Sequence, residues 1–141
     1  MKVKGFEDLP TPRYMTSGSA GMDVYAAINE DYEIKPGERS LISTGIHMQI
    51  PEGFEAQIRP RSSLAINSGI TLLNTPGTID SDYRGEIKAI MINLAKEPFI
   101  IKRGDRIAQI VFSKVEIPSI TIVQTIEATK RGSGGFGSTG K

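Results

Sequence analysis

Ile46, Met48 and Ile50 alternate with His47 and Gln49, and Phe54, Ala56 and Ile58 alternate with Glu55, Gln57 and Arg59. Period-two alternation puts the apolar set on one side of an extended chain, so both runs predict half-buried β-strands. Pro51-Glu52-Gly53 between them has turn chemistry and predicts a hairpin. Glu86–Leu94 differs in being apolar on both faces, with Ile87, Ala89 and Met91 on one and Ile90, Ile92 and Leu94 on the other. Such a strand is covered twice, inside a sandwich, a barrel or a subunit interface. Runs at Arg106–Phe112 and Ile120–Ile126 complete the predicted strands. Turn signals at Pro36-Gly37, Asn74-Thr75-Pro76-Gly77, Arg103-Gly104-Asp105 and Pro118 separate them. Only Ser62–Asn67 has room for a helix, and a short one. The pattern predicts an all-β, jelly-roll-like sandwich or barrel.

Composition strengthens that reading and removes several chemistries. Ile outnumbers Leu 20 to 6, and β-branched residues suit a pleated surface. Fifteen Gly and eight Pro supply the turns that many short strands need. The length, 141 residues, fits one domain that needs no staple to fold. Cysteine is absent, which excludes disulfides, thiolate metal sites and a cysteine nucleophile. A single histidine, His47, is too few for a His-rich metal site and reads as an outward strand residue. Seventeen basic against sixteen acidic residues leave a net charge of +1, which disfavours a nucleic-acid partner. No apolar run approaches the ~18 residues of a membrane span, and Met1-Lys2-Val3-Lys4 lacks the apolar stretch of a signal peptide. A soluble cytoplasmic protein without a membrane partner is therefore expected, with catalysis left to carboxylates, hydroxyls, Arg or a bound cation.

The last twelve residues, Lys130 to Lys141, hold five glycines, three cations, no acid and one aromatic. Such a segment cannot pack a core. The expected division is a single β domain over 1–129 and a flexible lid over 130–141. Glycine amides there can cradle an anion, Ser133, Ser138 and Thr139 add hydroxyl donors, Arg131 adds a phosphate clamp and Phe136 a flat apolar face. Together these suit a nucleoside phosphate; the plainer alternative is a linker.

Four internal segments carry further candidate chemistry. In Gly77-Thr78-Ile79-Asp80-Ser81-Asp82-Tyr83-Arg84-Gly85-Glu86, two carboxylates two residues apart could activate water or bind Mg²⁺, or could simply form an Asx turn. Arg59-Pro60-Arg61-Ser62-Ser63-Leu64-Ala65 leaves a strand and opens the short helix, placing Arg and Ser where phosphate binds or where a Ser merely caps. Gly104-Asp105-Arg106-Ile107-Ala108-Gln109 turns into a strand, with an Asp105–Arg106 ion pair as the plain account of its corner. Asp23 sits in the apolar strand Ala20-Gly21-Met22-Asp23-Val24-Tyr25-Ala26, where an unpaired carboxylate is costly; it needs an Arg or a hydrated cation beside it.

As an ordered set, Asp23, Pro60-Arg61-Ser62, Gly77–Glu86, Gly104–Gln109 and Arg131–Thr139 resemble the five motifs of homotrimeric dUTPases, in the family's order and spacing. The resemblance implies a jelly-roll subunit and a homotrimer with active sites at subunit interfaces. It implies hydrolysis of dUTP to dUMP and pyrophosphate with Mg²⁺, limiting uracil in DNA and supplying dUMP for thymidylate synthesis. Position by position, Asp80 matches the acid that activates the attacking water. Asn74, Gly77, Thr78 and Ile79, in a hairpin running to Tyr83, match the uracil pocket; Tyr83 matches the ring under the deoxyribose, and Phe136 the residue stacked on uracil. Arg61, Ser62, Ser63, Gln109, Arg131, Gly135, Gly137, Ser138 and Thr139 match phosphate-binding positions. Asp23 and Arg106 match supporting ones, the Mg²⁺ being held mainly by phosphates and water, with Asp23 a candidate to reach it through water. Ser63 stands where the family often has Gly, and Asn67 where it often has Lys. The rival readings are a dCTP deaminase of the same fold and a non-catalytic nucleotide-binding member.

Overall fold

The computed structural model describes residues 1–135. In chain order these form β1 (Gly21–Tyr25), β2 (Tyr32–Ile34), β3 (Arg39–His47), β4 (Phe54–Arg59), α1 (Ser62–Ser68), β5 (Ile70–Leu72), β6 (Gly77–Ile79), β7 (Glu86–Asn93), β8 (Phe99–Ile101) and β9 (Arg106–Lys114). Every strand pairing is antiparallel. One sheet runs β1-β9-β4-β6, a second β3-β7-β5, and β2 pairs with β8 alone. Val24, Ile58 and Ile110 of the first sheet, Ile42, Ile70 and Met91 of the second, and Ile34 and Ile101 of the third all enter one buried core. The fold is the expected jelly-roll-like β-sandwich with one short helix, and its sheets stay open rather than closing into a barrel.

Burial follows the alternation where it was clearest. In β4, Ala56 and Ile58 are buried while Gln57 and Arg59 face outward. In β7, Ile87, Ala89, Met91 and Asn93 enter the core; the opposite face shows Lys88 exposed, Ile90 and Ile92 half-buried, and Leu94 beyond it is 67% exposed. Within one chain, then, this strand is covered on one face only. Across β3 and β7 the ladder slips at Ser43–Ile46, where Gly45 adopts φ +70° and donates its N–H to the Glu86 carboxylate (3.0 Å). A left-handed glycine in a bulge is the inexpensive solution there, because any Cβ would be strained.

Several expectations are corrected. Pro51–Gly53 makes a tight turn, with Phe54 N–H on the Pro51 carbonyl at 3.2 Å, but it does not close a hairpin. β3 pairs with β7, and β4 with β9 and β6, so this turn carries the chain from one sheet to the other. The first alternating run stops being a strand at His47. Asn74–Tyr83 is likewise no hairpin of paired strands: β6 within it pairs with β4. Ile120–Ile126 forms no strand, and Ile117, Ile120, Ile122 and Ile126 are 84–97% exposed. Alternation marks a chain able to join a sheet, but among the described residues no sheet edge of its own chain takes this stretch up.

Asn93, fully buried, is the polar keystone beside the second sheet. Its Nδ2 donates to the carbonyls of Ile34 (2.9 Å) and Glu97 (2.8 Å), and its Oδ1 accepts from Ala95 N–H (2.9 Å), tying β7 to β2 and to the turn before β8. Leucine has similar bulk but would strand those partners. Asn93→Leu should therefore lower unfolding stability by about 1–3 kcal/mol or more, read as a reduced denaturation midpoint.

Candidate active site

Three neighbouring strands bring the phosphate-type residues together. Asp23 of β1 lies opposite Gln109 of β9, and Gln109 lies opposite Arg59 of β4, so one row crosses the sheet. Beyond Arg59 the chain turns at Pro60 into α1. That helix has no side-chain cap and no buried residue, and it ends at Gly69, whose φ of +64° lets its N–H reach the Ala65 and Leu64 carbonyls. Arg61, at the N-cap position, uses its side chain elsewhere: Nε donates to Asp23 Oδ1 (3.0 Å) and Nη1 to the Arg106 carbonyl (3.0 Å). Ser62 and Ser63 are left exposed on the first turn.

Asp23 has the partners its burial requires. Its second oxygen accepts from Arg106 Nη1 at 3.1 Å, so one carboxylate is shared by two guanidiniums. Arg61 is the enclosed member, its side chain 18% exposed, and Arg106 the open one at 53%. Arg106 thus pairs with Asp23 rather than with Asp105, whose Oδ2 instead accepts the Lys102 N–H (2.8 Å) and closes the turn. Arg103 in the same turn donates to Asp8 (2.6 Å) and the Gly5 carbonyl (3.0 Å) and lies 4.6 Å over the Phe6 ring, fastening the first residues to this corner. Gln109 donates one amide N–H to the Pro60 carbonyl (3.0 Å).

The nucleoside-type residues form a second group. Asn74, Thr78, Ile79, Asp80 and Tyr83 line a cleft of about 250 Å³ with the β7 residues Glu86, Ile87 and Ile90. Tyr83 donates its hydroxyl to the Glu86 carbonyl (3.0 Å), laying its ring across Gly85. Arg84 ties the turn, donating to the carbonyls of Ser81 (2.6 Å) and Tyr83 (2.9 Å). His47 Nδ1 meets the Arg84 carbonyl at 3.0 Å, a structural role consistent with an outward strand position. Asp80 also borders a wider, polar cleft of about 990 Å³ with Glu52, Asp82 and Arg84.

The two groups do not share a cavity. Arg61 and Arg106 line one cleft of about 280 Å³. Gln109 lines another of about 360 Å³, with Gln57, Arg59 and Pro76. None of the residues around Asp80 and Tyr83 borders either. Gln57 was not singled out from the sequence, and Arg59 entered only as the first residue of the Arg59–Ala65 segment; Arg59 donates to Gln57 Oε1 through both Nε and Nη2 (3.0 and 2.6 Å). The only signal for Gln57 was outward alternation on β4. Arg131 donates to its own turn at Gly134 (2.8 Å) and is not brought to the other phosphate-type residues. Gly135 is half-buried, whereas Phe136, Gly137, Ser138 and Thr139 lie outside the described residues.

A family model described as dUTPase matches residues 7–140. The chain belongs to the dUTPase family. It is 58% identical over 139 residues to the deoxyuridine 5'-triphosphate nucleotidohydrolase of Thermoanaerobacter sp., covering 99% of this chain and 94% of that one. The protein of the same name from Caldanaerobacter subterraneus subsp. tengcongensis is 57% identical over 143 residues, with 99% and 97% covered. The dUTPase of Staphylococcus bacteriophage 80alpha, solved with dUpNHpp, superposes with a TM-score of 0.81 at 24% identity, over 96% of this chain and 94% of its own, a likeness of fold.

The donor set can be tested against the Mg²⁺ that a dUTPase resemblance implies. Among the described residues no three His, Asp or Glu side chains converge as a metal cage. Mg²⁺ favours phosphate oxygens and retained water over such cages, so it does not require one. Each oxygen of Asp23 accepts one guanidinium and retains capacity to accept a further donor such as water.

Proposed function

We propose that the chain, a dUTP diphosphatase by family, hydrolyses dUTP to dUMP and pyrophosphate, with Asp80 holding and deprotonating the water that attacks the α-phosphorus. The observation that carries this reading is the single cleft lined by Asn74, Thr78, Ile79, Asp80 and Tyr83, which sets a carboxylate beside a ring and a short backbone edge. Asn74 and the backbone of Gly77, Thr78 and Ile79 read uracil, and Tyr83 under the sugar leaves no room for a 2′-hydroxyl. Ser62, Ser63, Gln109 and the open guanidinium of Arg106 face the phosphates, with Arg61 and Asp23 as their buttress. Mg²⁺ bound with the triphosphate would neutralise phosphate charge, Asp23 being the residue to hold it through water. Positioning and charge neutralisation are the main requirements of such chemistry. The segment from Lys130 closes last, as a lid that brings Arg131, Gly135, Gly137, Ser138 and Thr139 to the phosphates and Phe136 onto the base. In a cytoplasm, the product dUMP would feed thymidylate synthesis while uracil is kept from DNA.

Pyrophosphate and ammonia release, measured with dUTP, dTTP, dCTP and UTP, tests the reading. Pyrophosphate from dUTP alone is expected. Cytosine offers a donor where uracil offers an acceptor, a mismatch able to discriminate by about 10⁴-fold. Ammonia from dCTP, or comparable kcat/KM for dUTP and dCTP, would sink it.

The same reading makes the working unit a homotrimer. Two observations support it: the nucleoside-type and phosphate-type residues line separate clefts of one chain, and its apolar surface is uncovered. Leu41 is 57% exposed, and four Ile of 117–126 stand almost bare. Burying those four would be worth roughly 6–12 kcal/mol, on the scale of a whole domain's stability. Sedimentation without ligand should give three times the chain mass; a fully active monomer would contradict both the shared site and the need for cover.

A further inference from the structure

A glycine with ordinary backbone angles has no conformational need to be glycine. Gly21, Gly77 and Gly85 lie outside the left-handed region, yet a Cβ built on any of them collides with a side chain. At Gly85 it would overlap the Tyr83 hydroxyl, with Cζ and Cε2 at 2.5 and 2.9 Å. At Gly77 it would meet Asn74 Nδ2 at 2.9 Å, and at Gly21 it would overlap Gln109 Oε1, with Cδ at 3.2 Å. The three side chains struck are the ones assigned above to sugar, base and phosphate. Gly45 and Gly69 are crowded too, but they have φ of +70° and +64° and press on Phe6, Ala27 and Ala95. Gly18, at ordinary angles, would meet nothing within 4 Å.

We infer that Gly21, Gly77 and Gly85 are positioning residues that vacate the volume occupied by the polar ends of Gln109, Asn74 and Tyr83, and so fix where substrate meets them. The inference rests on the dUTP reading above. In each case the obstructed atoms are the far end of a side chain, and Tyr83 is 46% exposed. An added methyl therefore displaces ring or amide into solvent while the backbone stays. At Gly85 the displaced ring also loses its hydroxyl bond to the Glu86 carbonyl. The signature is altered selectivity in a normally folded chain, the reverse of a core defect.

Gly85→Ala should lower the ratio of kcat/KM for dUTP over UTP by about 10- to 100-fold, the scale of a misplacement near 1 Å. The ratio is insensitive to the fraction of folded protein, so a merely structural role would not move it. In a Tyr83→Ala background the ring is gone, and Gly85→Ala should then change the ratio by less than about twofold. The parallel pair is Gly21→Ala with Gln109→Ala: KM for dUTP should rise about tenfold in the parent chain and no further once Gln109 is removed. An unchanged ratio in Gly85→Ala overturns the inference. So does an equal effect with and without Tyr83, or a Gly85→Ala chain that fails to fold, since the backbone would then carry the constraint. Failure of the underlying reading looks different: the unsubstituted chain would itself show no preference for dUTP over UTP.

Discussion

Asp80→Asn should bind a non-hydrolysable dUTP analogue about as tightly as the parent chain and hydrolyse dUTP roughly 10²–10⁴-fold more slowly, the usual worth of a positioned general base. The amide keeps the shape of the carboxylate and can still accept a hydrogen bond, but it cannot take a proton from water. The surroundings favour a clean result. Asp80 is exposed at the mouth of its cleft, and the local turn is held by Tyr83 N–H on the Asp80 carbonyl (3.2 Å) and by Arg84, so the side-chain change leaves those bonds intact. Equilibrium binding and single-turnover kinetics separate the two effects. Turnover near that of the parent chain would remove Asp80 from the mechanism.

A chain ending at Lys130 should fold and assemble normally and yet lose about 10²-fold or more of its turnover. Folding is spared because the buried core runs from Leu9 to Ile110 and Arg131 bonds only within its own turn. Turnover falls because Arg131, Ser138 and Thr139 would no longer orient the triphosphate or exclude water around it. Phe136→Trp gives a direct readout, since the chain contains no other Trp. Its fluorescence should respond to a non-hydrolysable dUTP analogue with Mg²⁺ and respond far less to dUMP. Full activity in the truncated chain, or a Trp signal indifferent to the triphosphate, would reduce the segment to a linker.

Much of the site was readable from residue order because its chemistry is packed into short runs. Asp80 and Tyr83 stand three positions apart in one turn, and Arg61 directly precedes Ser62, so one glance at each segment recovers them. Gly85 and Gly21 were not readable, because nothing local distinguishes a glycine that makes room from one that makes a turn. Asn93 was missed for a related reason: a lone polar residue at the end of an apolar strand gives no hint of the carbonyls of Ile34 and Glu97 waiting for it. β2, β5, β6 and β8 are three residues each, too short for alternation to register.

The sequence by itself determined that the chain is mostly β, which side of β4 turns inward, where the helix lies, and that five ordered segments resemble those of a dUTPase. Those are local properties, carried by a two-residue period, by turn chemistry and by adjacency. Only the tertiary structure decided that β3 and β4 part at Pro51 into different sheets, that Asp23, Gln109 and Arg59 fall in one row, and that Arg106 spends its charge on Asp23 instead of Asp105. It also decided that the alternating stretch Ile120–Ile126 finds no partner strand within its own chain. Alternation reports the face of a strand but not its neighbour. The neighbour is chosen by packing between residues distant in sequence, and no local pattern encodes that choice.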